Sequence, residues 1–276
     1  MKTTLITGGL GFIGSSICEL LLKKKYTDKC ILLDNFGGYM NPIKDGFKDF
    51  RKQRFSSLKN IIIERCDTSN YKALSSIIIK YKPNYVYHTA ALPLAKVSNL
   101  NNEEAKVSSV DSTLNIIDAI NFMKNSNKNF KFNRFIYFSS SMVYGDFKKS
   151  IVNENSEKNP KDAYGIMKLA GEVVTEGLCR LHDIPYTIIR PSAVYGPKDM
   201  NRRVSQIFIE SAFQNKEIYI QGKDEKLDFT YIKDLANGSI LAARSKKGIN
   251  EIFNITCGKG QTLLSYVIYL KKKFPN

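Results

Sequence analysis

The feature that most constrains the fold is a glycine-rich turn near the start of the sequence. An apolar run, Thr4–Thr7, predicts a strand, and helical periodicity follows over Phe12–Lys25. Three glycines punctuate this stretch at intervals of three residues: Gly8, Gly11 and Gly14. The first permits a tight turn, the second lets a ligand approach the backbone, and the third lets the helix pack against the strand. This order predicts a phosphate-binding turn at a helix N-terminus, with Phe12 and Ile13 as further nucleotide contacts.

A carboxylate follows the glycines at the distance that a dinucleotide site requires. Asp34 ends the second predicted strand, Cys30–Asp34, about 20 residues farther along the chain, where it can accept hydrogen bonds from ribose hydroxyls. The same negative charge repels a 2′-phosphate. The sequence therefore predicts a site for NAD and not for NADP.

Strand-length apolar runs alternate with helix-length segments up to about residue 190. The further predicted strands are Ile61–Glu64, Tyr85–Thr89, Arg134–Ser139 and Tyr186–Arg190, and the further helices are Tyr71–Tyr81, Glu103–Lys124 and Ala163–His182. This alternation predicts an α/β fold with a Rossmann-type doubly wound parallel sheet that is covered on both faces.

The pattern is less regular after Arg190. It predicts short strands at Ile218–Ile220 and Phe229–Ile232 and helices at Val204–Gln214, Leu235–Ala243 and Thr262–Lys273. We therefore expect an NAD-binding domain over residues 1–190 and a small mixed substrate lobe over residues 191–276. Some strands or helices of the lobe are expected to return to the main domain.

Composition excludes several classes of protein. Hydrophobic residues make up 43% and charged residues 25% of the 276 residues, which is typical of a globular chain. No apolar run reaches the roughly 18 residues of a membrane helix. The five cysteines are scattered without a Cys-x-x-Cys pair, and there are two histidines, so no metal site is expected. The net charge of +16 is spread along the chain, which favours a solvated surface over a nucleic-acid site. We expect a cytoplasmic protein without a membrane partner.

A tyrosine and a lysine stand four residues apart in the longest predicted helix. Tyr164 and Lys168 would share one helix face, where an ammonium lowers the pKa of a phenol from about 10 toward neutrality. The phenolate could then take a proton from a substrate hydroxyl while the carbon gives hydride to nicotinamide. The strand Arg134–Ser139 ends in three serines at the edge where open α/β sheets bind ligands, and a serine there could bind the substrate oxygen.

Several ordered motifs carry a family resemblance. They are Thr7-Gly8-Gly9-Leu10-Gly11-Phe12-Ile13-Gly14, Asp34-Asn35, Cys66-Asp67, His88-Thr89-Ala90-Ala91, Ser139-Ser140-Ser141-Met142-Val143-Tyr144-Gly145, Tyr164-x-x-x-Lys168, Arg190-Pro191-Ser192-Ala193-Val194-Tyr195-Gly196-Pro197 and Asp228-Phe229-Thr230-Tyr231-Ile232-Lys233-Asp234. From Lys2 to about Gly260 the chain resembles the extended short-chain dehydrogenase/reductase family, and within it the NAD-dependent nucleotide-sugar epimerase/dehydratase group, which includes UDP-glucose 4-epimerase.

The resemblance implies roles for individual residues. Tyr164 would be the acid/base, Lys168 would bind the nicotinamide ribose and tune Tyr164, and Ser140 would be the catalytic serine, with Ser141 as second choice. The implied cofactor contacts beyond those already named are Asn35, Asp67, Thr68, Ala90, Ala91, Ser139 and Pro191. His88 would make structural hydrogen bonds in preference to relaying protons.

The sequence also departs from the family pattern, mostly on the substrate side. Ser141 and Met142 stand where sugar 4,6-dehydratases carry Asp-Glu, which disfavours dehydration. Family members often carry Asn in place of Ala193 and of Ser109, and Arg in place of Leu227. The candidate substrate contacts are Ser140, Ser141, Ala193, Arg203 and Lys226, with Arg202 beside Arg203. Arg202, Arg203 and Lys226 would either bind the substrate diphosphate or lie on the surface. Members usually continue for several dozen residues past the last predicted helix, so part of the lobe is absent or the chain is a short form.

The first hypothesis is therefore an NAD-dependent nucleotide-sugar epimerase that transiently oxidises a sugar hydroxyl to a ketone. One alternative is a nucleotide-sugar dehydrogenase or reductase with net redox turnover. The other is an NAD-binding regulatory protein without activity. The resemblance also implies a homodimer formed through the helices Glu103–Lys124 and Ala163–His182.

Overall fold

A computed structural model describes residues 2–36, 58–92, 101–147, 151–199 and 203–274. The strands within these ranges are β1 (Thr3–Thr7), β2 (Lys29–Asp34), β3 (Ile61–Arg65), β4 (Tyr85–His88), β5 (Arg134–Phe138), β6 (Tyr186–Pro191), β7 (Val194–Tyr195), β8 (Lys226–Asp228), β9 (Thr230–Tyr231), β10 (Glu251–Ile255) and β11 (Gly260–Thr262). The helices are α1 (Phe12–Lys23), α2 (Tyr71–Tyr81), α3 (Asn102–Lys106), α4 (Ser112–Ser126), α5 (Ala163–Leu181), α6 (Val204–Phe213), α7 (Ile232–Arg244) and α8 (Leu263–Lys273).

Seven of these strands form one parallel sheet in the order β10-β6-β5-β4-β1-β2-β3. Alternate residues of each strand face opposite layers of helices. Leu5 of β1, for example, packs in the core with α2, α4 and α5, whereas Ile6 packs in the core with α1 and α7. Burial of both faces explains why the strands are almost continuously apolar. The predicted Rossmann-type doubly wound sheet is confirmed.

The strand order reverses between β1 and β4. From β1 the chain runs outward through β2 and β3, and it then returns to β4 and continues through β5 and β6 in the other direction. In an open α/β sheet, ligands bind in the crevice at the carboxyl ends of the strands on either side of such a reversal. Here that crevice lies between the turn that follows β1 and the turn that follows β4.

The chain after β6 contributes to both the sheet and a smaller group of elements. Helix α7 packs against α1, and β10 pairs with β6 in the main sheet. The other elements pair among themselves as β7 with β9 and β8 with β11, and α6 packs against α8. The small group therefore lies at the carboxyl end of β6. Its elements β7, α6, β8 and β9 come between β6 and β10 in the sequence, and β11 and α8 follow β10.

The local structure differs from the predictions at three places. The chain is helical through the predicted range Glu103–Lys124, but Val107–Asp111 forms a π-helical turn, beside which the Ser112 and Thr113 hydroxyls donate to backbone carbonyls one turn earlier. Residues 218–220 form no strand, and Ile218 and Ile220 pack instead on the α6–α8 cluster. Strand β10 was not predicted. The long connection expected after β2 falls largely outside the described residues.

Two absences hold for the described ranges only. They contain no helix that is both long and apolar enough to cross a bilayer. They also contain no group of three or more His, Cys, Asp and Glu side chains placed to ligate one metal ion.

Candidate active site

The glycine turn after β1 is packed too tightly for side chains at three of its positions, Gly8, Gly9 and Gly14. Gly8 has a φ of +62°, and a Cβ there would lie 2.9 Å from the backbone of Ala90. A Cβ on Gly14 would lie 2.5 Å from the Gly8 carbonyl oxygen. Gly11 differs, because it is exposed and a Cβ would meet only the Gly8 carbonyl region. The turn therefore leaves one open backbone face, at Gly11.

Helix α1 begins directly at this open face. No side chain caps its N-terminus, since the capping position is Gly11 itself and the first turn opens with Phe12 and Ile13. The first N–H groups of a helix have no partner within the helix, and the helix dipole makes this end positive. The arrangement can hold a diphosphate by backbone N–H groups alone.

Asp34 lies at the end of β2 and holds the glycine turn. One of its carboxylate oxygens accepts the Leu10 N–H at 3.1 Å and the other accepts the Phe36 N–H at 2.9 Å. Each carboxylate oxygen has two lone-pair sites, so these two bonds leave acceptor capacity for ribose hydroxyls.

The segment after β3 forms the adjoining wall. Asn35 donates to the Asp67 carboxylate at 2.9 Å, and Ser69 donates to the same carboxylate through its N–H at 2.9 Å and its hydroxyl at 2.7 Å. Burial acts to raise the pKa of Asp67, but these hydrogen bonds outweigh burial and lower it. Asn115 of α4 holds the neighbouring Thr68 by its carbonyl at 3.1 Å. This wall is thus fixed from two sides.

His88 ends β4 and is fully enclosed. Its Nδ1 lies 2.7 Å from the Thr7 hydroxyl and its Nε2 lies 3.2 Å from the Ser112 hydroxyl. Burial, aided by the charge of Lys168, lowers the pKa of His88 to about 3, so the imidazole is neutral at neutral pH. These bonds are the structural role that the sequence indicated. They fix the end of β4, from which the half-buried Ala90 and Ala91 continue along the crevice.

The serine run lies at the end of β5. Ser139 is 3% exposed, and among the described residues its hydroxyl has no hydrogen-bond partner. The Ser140 hydroxyl accepts the Met142 N–H at 3.2 Å and also hydrogen-bonds the Tyr164 phenol. Ser141 opens a 3₁₀ turn, Ser141–Tyr144. An orphaned buried hydroxyl and a paired one therefore stand side by side at this edge of the sheet.

The start of α5 is locked against this turn. The Asp162 side chain caps the helix by accepting the Gly165 N–H at 2.7 Å. A Cβ on Gly165 would lie 2.8 Å from the Met142 carbonyl oxygen, so the helix makes close backbone contact with the turn. This contact brings Tyr164 to Ser140.

Lys168 lies one helical turn after Tyr164 and is 2% exposed. Its ammonium donates to the Phe138 carbonyl at 2.8 Å and lies 5.8 Å from the centre of the Tyr164 ring. Burial lowers the pKa of Lys168 to about 7, although the charge of Glu172 acts to raise it. Lys168 thus joins the end of β5 to the face of α5 that carries Tyr164.

The prediction of a lowered pKa for Tyr164 is wrong. Burial raises the pKa of Tyr164, and the opposing effects of the Arg203 charge and the Ser140 hydrogen bond are smaller. The physical reason is that the helix face that brings Tyr164 and Lys168 together also removes both from water, and desolvation disfavours both charged forms.

The candidate substrate contacts do not all lie near Tyr164. Arg203 lies just before α6, where it donates to the Val194 carbonyl at 3.4 Å, and its charge acts on Tyr164. Its Nε atom is buried without a hydrogen-bond partner in the described part of the chain. Ala193, with a φ of +25°, lies between β6 and β7 just after Pro191. Lys226 is exposed in β8 opposite Thr262, and no described contact joins it to Tyr164. Arg202 lies outside the described residues.

The sequence reasoning missed a buried ion pair behind the site. Arg190 of β6 and Glu172 of α5 form a salt bridge of 2.6 Å, with exposures of 1% and 2%. Two signals were present. Glu172 lies four residues after Lys168, on the same helix face, and Arg190 is a charged residue in a strand that is otherwise apolar.

These observations fit a bound dinucleotide along the crevice. Three features lie in order along the carboxyl edge of the sheet: the Asp34 carboxylate after β2, the uncapped α1 terminus with the open face at Gly11 after β1, and the orphaned hydroxyl of Ser139 after β5. They supply donors for a diphosphate, an acceptor for a ribose and a polar group near the far end. The donor set is the one that NAD requires.

Comparison with known proteins gives one consistent family. The model of the NAD-dependent epimerase/dehydratase family matches residues 4–256. A putative UDP-glucose 4-epimerase of Methanocaldococcus jannaschii is 31% identical over 92% of this chain and 77% of its own length. A dTDP-D-glucose 4,6-dehydratase of Dictyostelium discoideum is 29% identical, and the chain spans 92% of itself but only 58% of that relative.

A solved structure shares the whole architecture. It is the UDP-glucuronic acid 4-epimerase of Bacillus cereus in complex with UDP-glucuronic acid and NAD. The TM-score is 0.83 at 27% identity, and the match covers 99% of this chain and 83% of that one.

Proposed function

Because the chain belongs to the NAD-dependent epimerase/dehydratase family, and NAD is thus its cofactor, we propose that it epimerises a sugar carbon of a nucleotide sugar. The observation that supports this most is the group formed by Ser140, Tyr164 and Lys168 at the end of β5, beside the glycine turn. This group can move a proton on and off a hydroxyl within reach of a nicotinamide.

The residues along the crevice are assigned to NAD from one end to the other. Asp67 and Thr68 are assigned to the adenine, Asp34 with Asn35 to its ribose, and the glycine turn to the diphosphate. Lys168 is assigned to the nicotinamide ribose. The contacts assigned to the rest of the cofactor are Phe12, Ile13, Ala90, Ala91, Ser139 and Pro191.

The chemical step follows from the positions of three side chains. Tyr164 takes the proton of the sugar hydroxyl while Ser140 donates a hydrogen bond to the sugar oxygen. When bound in the crevice, NAD would supply the hydride acceptor for this oxidation and the hydride donor for its reversal. The charge of Arg203, which acts to lower the pKa of Tyr164, and the ammonium of Lys168 one helical turn away would favour the phenolate against the effect of burial. The ketone reorients, or loses and regains a neighbouring proton, and Tyr164 then gives its proton back, so that no net oxidation occurs.

Epimerisation is favoured over dehydration by the residues that follow Ser140. The 3₁₀ turn begins Ser141-Met142, and neither side chain can act as a carboxylic acid or base at neutral pH. Elimination of water from a ketosugar requires such groups. We therefore assign Ser141 to substrate binding and leave the hydroxyl chemistry to Ser140 and Tyr164.

Arg203 is assigned to the substrate at the reacting end of the crevice. Its charge acts on the Tyr164 phenol, and its Nε is buried without a partner among the described residues. Ala193 and Lys226 remain candidates for the diphosphate end. UDP-glucuronic acid carries a carboxylate on the carbon next to the reacting carbon, which is the end of the substrate assigned to the Arg203 charge. UDP-glucuronic acid and UDP-glucose, which lacks this carboxylate, are therefore the first substrates to test.

We also propose that the chain forms a homodimer through α4 and α5. Both helices expose large apolar side chains on their outer faces: Leu114, Phe122, Ile166, Val173 and Leu181. Two copies that pair these faces would bury them in a four-helix contact related by a twofold axis. A cytoplasmic location stays a prediction.

The decisive experiment incubates the full chain and NAD with UDP-, dTDP- and GDP-sugars and identifies the products by chromatography. We expect one epimer pair and no accumulation of NADH. Tyr164→Phe should lower kcat by about 10²-fold or more, since it removes the proton-transfer group. Tyr71→Phe, on the exposed side of α2, is the matched control and should leave kcat unchanged.

The outcomes separate the alternatives. NADH that accumulates in proportion to product, without an epimer, would replace the proposal by a dehydrogenase. NAD binding in calorimetry without binding of any sugar nucleotide would indicate a regulatory protein. Activity that survives Tyr164→Phe would contradict the assigned proton path.

A further inference from the structure

A line of polar side chains runs through the interior along α5. Tyr164, Lys168 and Glu172 recur at intervals of four residues and therefore share one face of the helix. Lys168 and Glu172 are each 2% exposed. The chemistry proposed above uses the first two members of this line, and the third has no part in it.

Glu172 is bound on its far side by an arginine. Arg190 donates from Nε to one carboxylate oxygen at 2.8 Å and from Nη2 to the other at 2.6 Å, in a two-point contact. Its remaining Nη1 donates to the Tyr144 hydroxyl at 2.8 Å and to the Glu154 carbonyl at 3.0 Å. The arginine is thus held rigidly between α5, β6 and the turn that carries the catalytic serines.

Within the described ranges, the other groups that face Lys168 are His88, Tyr137 and Tyr164, and none of them is charged at neutral pH. His88 of β4 is neutral, because its pKa is lowered to about 3. Tyr137 of β5 lies with its ring 5.2 Å from the ammonium, and burial raises its pKa. Burial also raises the pKa of Tyr164 on α5 itself. The charge of Arg203 acts on Tyr164 from the substrate side.

The protonation state of Lys168 is therefore sensitive to the charges of Glu172 and Arg190. Burial lowers the pKa of Lys168 to about 7, and the Glu172 carboxylate is the charge that acts to raise it. Arg190 is in direct contact with Glu172, and we expect its positive charge to offset part of the Glu172 charge at Lys168.

We propose that Glu172 and Arg190 are positioning residues that set the protonation state of Lys168, Glu172 by favouring the ammonium and Arg190 by limiting that effect. The inference rests on the proposed function only in that Lys168 assists Tyr164. The pair itself never touches the substrate. Glu172 lies four residues beyond Lys168, so the pair acts on Lys168 through the low-dielectric interior and not from the crevice.

Opposite effects of the two partners distinguish this role from a merely structural one. Glu172→Gln removes the negative charge and leaves Arg190, so Lys168 should lose its proton about one to two pH units lower. Arg190→Gln leaves Glu172 unpaired, so Lys168 should keep its proton to a pH higher by a similar amount. The double variant leaves neither charge, and its midpoint should return to within about half a unit of the wild-type value.

The test measures Lys168 directly. The full chain with NAD is labelled with ¹³Cε-lysine, and the resonance that disappears in Lys168→Met is followed by NMR against pH. The limb of the kcat–pH profile that reports Lys168 should move with it in each variant, whereas KM should stay unchanged. If no sugar nucleotide turns over, the proposed function fails but the NMR titration still decides this inference.

Each outcome counts. Midpoints that move in opposite directions in the two single variants support the proposal. Midpoints that move together, or stay within about 0.2 unit of wild type, overturn it. An unpaired buried charge can prevent folding, so Glu172→Asp and Arg190→Lys are the substitutes, with the shifts expected to be smaller and of the same two signs. Unchanged midpoints in both substitutes also overturn the proposal, as does a double variant that shifts by more than about half a unit.

Discussion

Replacing Gly14 by alanine should push helix α1 away from the phosphate turn. The new Cβ would lie 2.5 Å from the Gly8 carbonyl oxygen and 3.0 Å from the Gly9 Cα. Both are backbone atoms, so no side-chain rotation relieves the overlap and the helix must move. Overpacking of this kind costs about 1–3 kcal/mol, whereas alanine gains at most about 1 kcal/mol over glycine in helix propensity. The difference between these two effects predicts a net loss of about 1 kcal/mol in the free energy of unfolding.

The same movement should weaken NAD binding. The first N–H groups of α1 are the proposed diphosphate donors, and displacing them lengthens several hydrogen bonds at once. We expect the Kd for NAD to rise at least about tenfold, which corresponds to about 1.4 kcal/mol. Urea unfolding of the chain without NAD measures the first effect, and isothermal titration calorimetry with NAD measures the second.

Gly177→Ala is the matched control for this prediction. Gly177 lies in α5, and nothing would lie within 4 Å of its Cβ. There the same chemical change should raise the free energy of unfolding by about 0.5–1 kcal/mol and leave the Kd for NAD unchanged. The reasoning is refuted if Gly14→Ala binds NAD as tightly as the wild type and unfolds at the same urea concentration.

Three further predictions concern pH, assembly and backbone strain. The pKa of His88 falls from 6.5 to about 3 on folding. Between these pH values the unfolded chain binds a proton that the folded chain excludes, so the free energy of unfolding should fall as the pH falls. His88→Gln should flatten this pH dependence, and an unchanged slope would contradict the prediction. Val173→Lys should give monomers in sedimentation velocity if α4 and α5 form the dimer, whereas Phe213→Lys, on α6, should not. Ala193→Gly should raise the free energy of unfolding by about 0.5–1 kcal/mol, because φ is +25°; a decrease in urea unfolding would argue against strain there.

The glycine turn, Asp34 and the Tyr164–Lys168 spacing were predictable because each signal is local. A strand, a turn and a helix that follow directly in sequence fix the position of the glycines relative to the backbone. The alternation of buried strands and helices fixed the sheet for the same reason. The assigned roles of the site residues stay predictions until they are measured.

Features that depend on distant partners were not predictable. Strand β10 mixes Glu251 and Asn254 with apolar residues, so it carries no continuous apolar run, and it is defined by its pairing with β6. The π-helical turn precedes Ser112, whose hydroxyl lies 3.2 Å from Nε2 of His88 in β4, and this contact joins residues 24 positions apart. Spacing placed Tyr164 beside Lys168 but carried no information on burial, which raises the pKa of Tyr164 instead of lowering it. The Glu172–Arg190 contact joins two elements whose packing no periodicity specifies.

The pairing of β6 with β10 has a consequence for how the chain is made. Strand β6 carries Arg190 and Pro191, yet its outer neighbour, Glu251–Ile255, leaves the ribosome last among the strands of the main sheet that the structure describes. At roughly 5–20 residues per second, β6 waits several seconds with one edge open. An apolar strand with an unpaired edge is a template for association with other chains. Nascent chains stalled between residues 192 and 250 should therefore depend on chaperones, and that dependence should end once residue 255 has emerged.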